Sequence, residues 1–418
     1  MPAALERPPD DRRFARLAWI LLDWAASAFS TVLITLVVAY VERVVLPDGG
    51  WGLEAGVIWA WTLAAAMLVA AAVVPWIAAL ADRHDAHQRA VVAGTLAGAG
   101  GLLALAAVPP GAPGAVLAAV VAACVGFDVA QVFTGSLLPR IAGPADTDRL
   151  SARGFAAGYA GGAIALLAAT AIVTARDRLG LDAAGSLRLA FAATAAWWLL
   201  FSMPAALARF GGGPRRPAAA GRELLAFLRN LLRPAAGGGA GRLGPVLAGS
   251  MLALGAIQTA IAQFTSLALQ RFDLDGPALV RLVLLVQAVA LPGALAVGWM
   301  SRRFGRRPAA ALCLGGWSAV LVLAWFVRTP GDLRALAVLL ALVLGGAQSL
   351  LRAAVAAVAP SGQAGVTFGL LQVGTKLAGC TAGIAFGGLQ LATGVPQAGL
   401  YALVVQLLVA WWFLRRMP

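Results

Sequence analysis

Long apolar runs recur along this chain and limit the structures that it can adopt. Each run holds about 18 to 28 residues, enough for a helix to cross the ~30 Å hydrocarbon core of a bilayer. Inside that core the chain must satisfy its own backbone hydrogen bonds, which favours helices. Of the 418 residues, 61% are hydrophobic and 12% are charged, whereas an ordinary soluble chain is about 25% charged. The sequence therefore predicts an all-α protein that crosses a membrane many times.

We expect about twelve spans, arranged as two halves of six helices each. A polar segment rich in Gly, Pro, Ala and Arg separates them, so the expected division is 1–208, a cytoplasmic central loop at 209–243, and 244–418. The first span begins near Leu17 and is too long for the apolar part of a cleaved signal peptide, so we expect it to be retained. The spans are predicted at residues 17–45, 54–80, 90–108, 114–137, 152–174, 188–208, 244–269, 278–300, 308–327, 335–358, 365–391 and 396–414.

The basic residues predict the orientation in the membrane. The chain has 31 arginines and one lysine, and 23 of the arginines, Arg352 among them, fall in segments on the side of the N-terminus. Because cytoplasmic segments carry an excess of Lys and Arg, both termini are predicted to be cytoplasmic and the protein to lie in the cell's inner membrane. The net charge of +14 then reflects topology and contact with anionic headgroups on that side. No nucleic-acid partner is expected.

Several stretches resemble the major facilitator superfamily, which also has two halves of six helices and a long central loop. The turn after the second span, "ADRHDAHQR", resembles its inter-span motif. Three stretches resemble the branch related to the vacuolar amino-acid effluxers: "LDWAASAFSTVLITLVV", "SLLPRIAGPADTDRLSARGFAAGYAGGAIALL" and "FGLLQVGTKLAGCTAGIAFGGL". The resemblance implies a major facilitator fold and a carrier of a small-molecule solute. We expect no cofactor, and we expect a monomer.

The same resemblance implies a gate on the cytoplasmic side. Asp82 and Arg83, together with Arg89 and Arg140, match the gating motif of the superfamily. Asp82 is expected to contact the positive N-terminal end of span 11 and so stabilise the outward-open state. The chain departs from the branch at Arg140 and Arg302, where acidic residues are usual.

Three charged side chains are predicted to be the only ones well inside spans: Asp23 in span 1, Asp128 in span 4 and Lys376 in span 11. A charge at a helix centre costs about 2.5–3.5 kcal/mol on insertion scales, so such groups usually pair or face a water-filled cavity. We interpret them as a substrate or proton-coupling site, and a fixed ion pair that locks one conformation is the alternative. The sequence leaves open whether Lys376 meets Asp23, Asp128 or a carboxylate of the solute.

Neutral polar residues extend this candidate site. Gln372 and Lys376 are four residues apart and therefore share one face of span 11. For the glutamines the alternative role is hydrogen bonding between helices, and for Trp24 it is ordinary packing. The additional candidates are Gln258, Gln263, Gln348, Gln372 and Trp24.

Glycines in spans 5 and 11 are predicted to let helices approach closely. Close contact through small residues also suits helices that rock against each other, so these two spans are predicted to form a moving seam. The residues are Gly154, Gly158, Gly161, Gly162, Gly379, Gly383 and Gly387.

The cysteines and histidines predict neither an enzyme nor a metal site. Cys124, Cys313 and Cys380 are scattered singly and are expected to be small buried side chains. His84 and His87 are expected in an exposed loop. The phosphate-binding loop that an ATP-driven pump needs is missing from the sequence. We therefore expect no enzymatic activity.

Together these features predict a secondary active carrier that works by alternating access. We expect proton coupling through Asp128 or Asp23 and a small polar solute; the resemblance implies an amino-acid-like molecule and favours export. Two alternatives stay open. One is a translocator of lipids or hydrophobic drugs, with a mostly apolar cavity. The other is a non-transporting membrane sensor or assembly protein, with a collapsed interior.

Overall fold

A computed structural model describes residues 9–143, 146–212, 240–272, 276–395 and 397–417. The described residues are almost entirely helical, as the apolar runs predict. Their twelve helical spans are α1 (Pro9–Val32), α2 (Ala55–His84), α3 (His87–Ala107), α4 (Pro113–Ile141), α5 (Thr147–Thr174), α6 (Ala183–Leu207), α7 (Ala240–Phe272), α8 (Gly276–Phe304), α9 (Arg306–Leu323), α10 (Pro330–Val358), α11 (Ala364–Thr393) and α12 (Gly399–Leu414).

Ten of these spans are long and apolar enough to cross a membrane, judged by length and composition of the described residues. The other two are α11, in which Gln372, Lys376 and several glycines reduce the mean hydropathy, and α12, which has 16 residues. The first span continues to Val45 because two π-helical stretches, Leu33–Val37 and Val41–Val45, extend α1. The predicted all-α membrane fold is thereby confirmed.

Consecutive spans joined by short turns run in opposite directions. Both ends of the described chain and the α2–α3, α4–α5, α8–α9 and α10–α11 turns therefore share one face of the bundle, which we call the termini face. The arginine distribution predicts that this face is cytoplasmic. Most of the predicted central loop, residues 213–239, lies outside the described residues, so the division at 209–243 stays a prediction.

Glycines allow α5 to lie directly against its neighbours. A β-carbon added at Gly158 would lie 2.7 Å from Ser27 Oγ on α1. At Gly162 it would lie 2.7 Å from Thr31 Oγ1 on α1 and 2.5 Å from Gln287 Oε1 on α8. Because α1 precedes the central loop and α8 follows it, α5 packs against helices of both predicted halves. All four predicted glycines of α5 are this tightly packed: Gly154, Gly158, Gly161 and Gly162.

The glycines of α11 behave differently, which corrects the packing prediction. A β-carbon at Gly379 would make an ordinary 3.7 Å contact with the Gly255 carbonyl oxygen. At Gly383 and Gly387 it would meet no heavy atom of the described chain within 4 Å. The close approach at Gly379 is instead due to Gly255 of α7, where an added β-carbon would lie 2.7 Å from Gly379 N. On the face of α11 that meets the first half, close packing is found nearer the termini face, where a β-carbon added at Gly369 would lie 3.1 Å from Ala78.

Candidate functional site

The only lysine of the chain forms an ion pair with Asp128. Lys376 Nζ lies 2.8 Å from Asp128 Oδ2, and Gln372 Nε2, one helical turn away, donates to Asp128 Oδ1 at 2.8 Å. At 1.5 Å per residue, Asp128 lies about 20 Å from the last residue of α4, and Lys376 lies about 18 Å from the first residue of α11. Both depths are near the middle of a bilayer. We call Asp128, Gln372 and Lys376 the central cluster.

The central cluster is shielded from solvent. The side chain of Asp128 is 8% exposed and that of Lys376 is 13% exposed. Removing one partner of a buried ion pair leaves an uncompensated charge and costs about 3–5 kcal/mol. Since α4 precedes the central loop and α11 follows it, any motion that separates the halves at this depth must break the pair or replace one of its charges.

A second ion pair lies between the central cluster and the termini face. Arg352 Nη1 donates to Asp23 Oδ1 at 2.9 Å, and Nη2 lies 2.8 Å from Oδ2. The same guanidinium donates to Ser151, from Nε to Oγ and from Nη2 to the carbonyl oxygen, both at 3.0 Å. Charge-assisted hydrogen bonds such as the one from Nη1 to Oδ1 are among the stronger ones in proteins. We call Asp23 and Arg352 the inner pair.

Arg352 corrects the prediction that Asp23, Asp128 and Lys376 are the only charges well inside spans. Arg352 was counted with the segments on the side of the termini although the predicted span 335–358 includes it, and α10 does end at Val358, about 9 Å further along the helix. The sequence did contain a signal of its location within the span. Gln348 and Arg352 are four residues apart and therefore share one face of the helix. The four charges form two pairs, each with the aspartate in the first half and the base in the second.

At the termini face, Asp82 binds the start of α11. Its Oδ1 accepts from the Gly365 N–H at 2.8 Å, and its Oδ2 accepts from the Val366 N–H at 2.7 Å. These N–H groups have no partner within the helix, and the helix dipole adds to their attraction for an anion. Asp82 is 3% exposed. The contact predicted between Asp82 and span 11 is therefore present, while a gating role for it stays a prediction.

His87 lies behind Asp82, which corrects the expectation that both histidines occupy an exposed loop. Its Nε2 is 3.0 Å from Asp82 Oδ1 and its Nδ1 is 2.8 Å from Ser136 Oγ on α4. His87 is fully buried, whereas His84 is exposed. The error arose because α3 begins at His87, so this side chain is packed against a helix instead of lying in a loop.

The other basic residues of the gating motif have different surroundings. Arg140 pairs with Asp85 of the α2–α3 turn, and its Nη1 donates to the Gly211 carbonyl oxygen at 3.2 Å. Arg83 is half-buried and Arg89 is exposed. Neither is among the hydrogen-bond or ion-pair partners of Asp82 that the described residues provide. The structure therefore groups Arg140 with the α2–α3 turn and leaves Arg83 and Arg89 apart.

The contact between the α2–α3 turn and α11 has a counterpart between the α8–α9 turn and α5, in which the turn carries the base. Asp148, in the first turn of α5, accepts from Arg306 Nε at 2.9 Å and from Ser301 Oγ at 2.9 Å. Here the base lies at the α8–α9 turn and the acid on the facing helix. Arg302, which stands where the resembling branch usually has an acidic residue, is exposed, and Arg306 provides the charge at this contact.

These contacts define the conformation of the bundle. The described ion pairs between the halves lie between the termini face and the central cluster. Further from the termini face than the central cluster, a β-carbon added at Gly383 or Gly387 of α11 would meet no heavy atom of the described chain within 4 Å. The halves are thus closed at the termini face and separate further along α11. If the termini face is cytoplasmic, as predicted, this is an outward-facing conformation.

The remaining predicted residues fall into three groups. Tyr159 Oη lies 3.5 Å from Gln348 Oε1, which places Gln348 near the inner pair, one turn before Arg352. Gln258 is exposed, and no hydrogen bond among the described residues joins it to either ion pair. The side chain of Gln263 lies outside the described residues.

Two predicted side chains lie elsewhere than expected. Trp24 stacks on Trp197 of α6 with ring centres 5.6 Å apart, and Phe201 packs on both rings. It therefore belongs to an aromatic cluster within the first half. Cys380 is exposed, while Cys124 and Cys313 are buried as expected.

Solved structures identify the fold of this bundle as that of major facilitator superfamily transporters. The human organic anion transporter MFSD10 (TETRAN) is 17% identical, with 98% of this chain and 100% of that chain covered and a TM-score of 0.71. FucP, a transporter of the superfamily in the outward conformation, is 14% identical, with 97% and 99% covered and a TM-score of 0.74. A second structure describes FucP as the fucose:proton symporter of E. coli.

Sequence comparisons define the family more narrowly. An uncharacterized MFS-type transporter of Bacillus subtilis (strain 168), YxiO, is 23% identical over 410 residues, which cover 93% of this chain and 91% of that protein. The pattern of the family described as "Vacuole effluxer Atg22 like" matches residues 57–418. The chain belongs to this family, and it is a multi-pass transporter of the major facilitator type, not an enzyme. The predicted resemblance is confirmed.

Proposed function

We propose that this protein is a secondary active carrier that moves a small polar, amino-acid-like solute by alternating access, coupled to protons, with export as its net direction. Residues 1–208 and 244–418 are the two halves that rock about the central cluster, and 209–243 link them as a cytoplasmic loop. The carrier works as a monomer in the inner membrane with both termini in the cytoplasm, where its arginines contact anionic headgroups. The observation that carries the proposal is the buried Asp128–Lys376 pair between the halves.

The chemistry of the central cluster supports proton coupling. With Asp128 ionised, an amino-acid-like solute can enter the ion pair, with its ammonium against Asp128 and its carboxylate against Lys376. A proton taken up by Asp128 from the outer side then neutralises the carboxylate that lay 2.8 Å from Nζ and releases the solute there. Loss of that proton to the cytoplasm restores the pair, so proton and solute exchange in the direction of export. Gln372 assists in both states because its amide can donate to either carboxylate. An ammonium suits this exchange because it is compact and its three donors can turn toward a new partner.

The same features favour a polar solute over the alternatives. A translocator of lipids or hydrophobic drugs needs a mostly apolar path, whereas here two ion pairs and the Gln372 amide lie on the boundary between the halves. A sensor or assembly protein with a collapsed interior would close the bundle along its whole length. The separation at Gly383 and Gly387 is instead what a carrier open at one end requires.

A two-stage experiment tests the proposal. A thermal-shift screen of the purified protein against amino acids, peptides, sugars and drugs finds ligands, because a ligand that binds only the folded state raises its Tm. Flux of each hit is then measured in proteoliposomes with and without an imposed pH gradient. We expect polar, amino-acid-like hits whose flux follows the gradient. A screen in which only lipids or hydrophobic drugs raise the Tm would overturn the proposed solute class.

A further inference from the structure

The guanidinium of Arg352 occupies a socket whose walls come from the first half of the chain. Its Cζ lies 4.6 Å from the ring centre of Trp19 and 4.2 Å from that of Phe155. Asp23 Oδ1 accepts from Nη1 and its Oδ2 lies 2.8 Å from Nη2. The hydroxyl and carbonyl oxygens of Ser151 accept two further hydrogen bonds. An arginine of α10 thus fills a guanidinium site that is built by α1 and α5. We call these four wall residues the α1–α5 socket.

Contacts within the first half hold the socket walls in place. Trp19 is fully buried, and its Nε1 donates to the Thr134 carbonyl oxygen on α4 at 2.7 Å. Gly154 leaves the space that the guanidinium occupies, because a β-carbon there would lie 2.8 Å from Arg352 Nη2 and 2.8 Å from Trp19 Cζ3. Neither of these two supporting contacts comes from α10, so Trp19 and the space at Gly154 keep their arrangement when α10 moves away. Ser151 Oγ also donates to the Ser349 carbonyl oxygen of α10 at 2.7 Å, and this hydroxyl becomes free for a ligand when α10 leaves.

We propose that the α1–α5 socket binds a guanidinium-bearing organic cation from the termini face once the halves part there and Arg352 leaves with α10. The proposal rests on the alternating access of the proposed function. An empty socket leaves Asp23 unpaired among apolar groups, which is costly. A planar guanidinium matches a carboxylate with two donors and also interacts favourably with aromatic rings, whereas an ammonium lacks the planar fork.

A cation bound in the socket shifts the conformational equilibrium. A cation in the socket takes the place of Arg352, so the halves cannot close at the termini face. A ligand that binds one of two states shifts the population toward that state. Guanidinium compounds on this side are therefore predicted to hold the carrier open at the termini face. The socket lies apart from the central cluster, so this site is distinct from the proposed solute site.

The first test uses the purified full chain with Arg352→Ala, which empties the socket, and methylguanidinium as the probe. We expect a saturable rise in Tm with a midpoint at about 1–10 mM, as for a weakly bound fragment. Methylammonium and NaCl at equal ionic strength are expected to leave Tm unchanged. In the matched variant Asp23→Asn/Arg352→Ala the response is expected to disappear. Equal responses to methylguanidinium and methylammonium, no response, or a response that survives Asp23→Asn would overturn the proposal.

A second measurement does not depend on how well the Arg352 variant folds. Ala78 packs against Gly369 across the boundary between the halves, so a cysteine there reports opening. In an Ala78→Cys/Cys380→Ala chain, Cys124 and Cys313 are buried. About 50 mM methylguanidinium is expected to raise the rate of alkylation at position 78 at least about threefold over methylammonium, by the shift in population. Equal alkylation rates contradict the proposal.

The two proposals fail in different ways. Neither socket experiment contains a transported solute or a proton gradient. A socket that ignores methylguanidinium leaves the flux and its pH dependence as proposed. Flux that ignores the pH gradient leaves the Tm response of Arg352→Ala intact.

Discussion

Lys376 and Asp128 belong to helices on opposite sides of the central loop, and their charged atoms lie 2.8 Å apart at the middle of the bundle. The inner pair repeats this arrangement nearer the termini face, again with the aspartate before the loop and the base after it. Both pairs pull the halves together in the conformation described here. Opening at the termini face must break the inner pair, and exchange of solute must break the central pair.

Replacing Lys376 by arginine tests whether charge alone suffices at this position. A guanidinium can still pair with Asp128, so we expect Lys376→Arg to fold with a Tm close to that of the wild type. Transport is expected to fall at least about tenfold, because a guanidinium is larger and its fixed fork holds a carboxylate more rigidly than an ammonium does. The measurement is proteoliposome flux beside a thermal melt. Flux at the wild-type rate would show that only the charge matters.

The inner pair is expected to show strong coupling in a double-mutant cycle. Asp23→Asn and Arg352→Gln each leave a buried charge without its partner, at a cost of up to about 3–5 kcal/mol. The double variant removes both charges and is therefore expected to lose less stability than the two single losses combined. Denaturation of the purified proteins in detergent provides the four values. Additive losses would mean that Asp23 and Arg352 do not act as a pair.

Loss of the Asp82 charge is expected to favour opening at the termini face. The interaction of a carboxylate with a helix N-terminus contributes about 0.3–2 kcal/mol, so Asp82→Asn should raise the open population by roughly 2- to 30-fold. Alkylation of Ala78→Cys in the Cys380→Ala background measures the change. The matched control is Asp146→Asn, because Asp146 pairs with Arg16 within the same half. Similar alkylation in Asp82→Asn and Asp146→Asn would rule out a gating role for Asp82.

Two glycines are expected to respond in opposite ways to the same enlargement. Gly158→Leu should abolish transport, because even a β-carbon there lies 2.7 Å from Ser27 Oγ and close packing leaves no room to relax. Gly383→Leu should keep the Tm of the wild type, since in this conformation a β-carbon meets no described atom within 4 Å. The Tm of each variant, and its flux normalised to the amount of folded protein, are the measurements. Intact transport in Gly158→Leu would contradict the packing seen between α1 and α5.

The sequence predicted the fold well because apolar run length is a local property. Twelve runs gave twelve helical spans, and the errors lie at their ends: α10 begins at Pro330 and α4 ends at Ile141, several residues beyond the predicted limits. Short turns tolerate such shifts, and polar residues at a helix end do not mark the last helical residue. The same uncertainty about helix ends accounts for the misplacement of His87.

The sequence alone could not predict which charges form pairs. Burial requires that a charge has a partner, but the partner of Asp23 is 329 residues away, and only the docking of the two halves selects it. Lys376 stood out because it is the single lysine, whereas Arg352 was one arginine among 31. Trp24 was misassigned for the same reason, because the sequence gives its helix but not the neighbour that its ring faces.

The central claim is that Asp128 couples solute movement to protons through its pair with Lys376. The most direct measurement is solute flux into proteoliposomes with and without a pH gradient, for the wild type and for Asp128→Asn. The account predicts that the gradient accelerates flux through the wild type and has no effect on Asp128→Asn, which keeps a neutral side chain of nearly the same shape. Wild-type flux that is indifferent both to the gradient and to Asp128→Asn would contradict it.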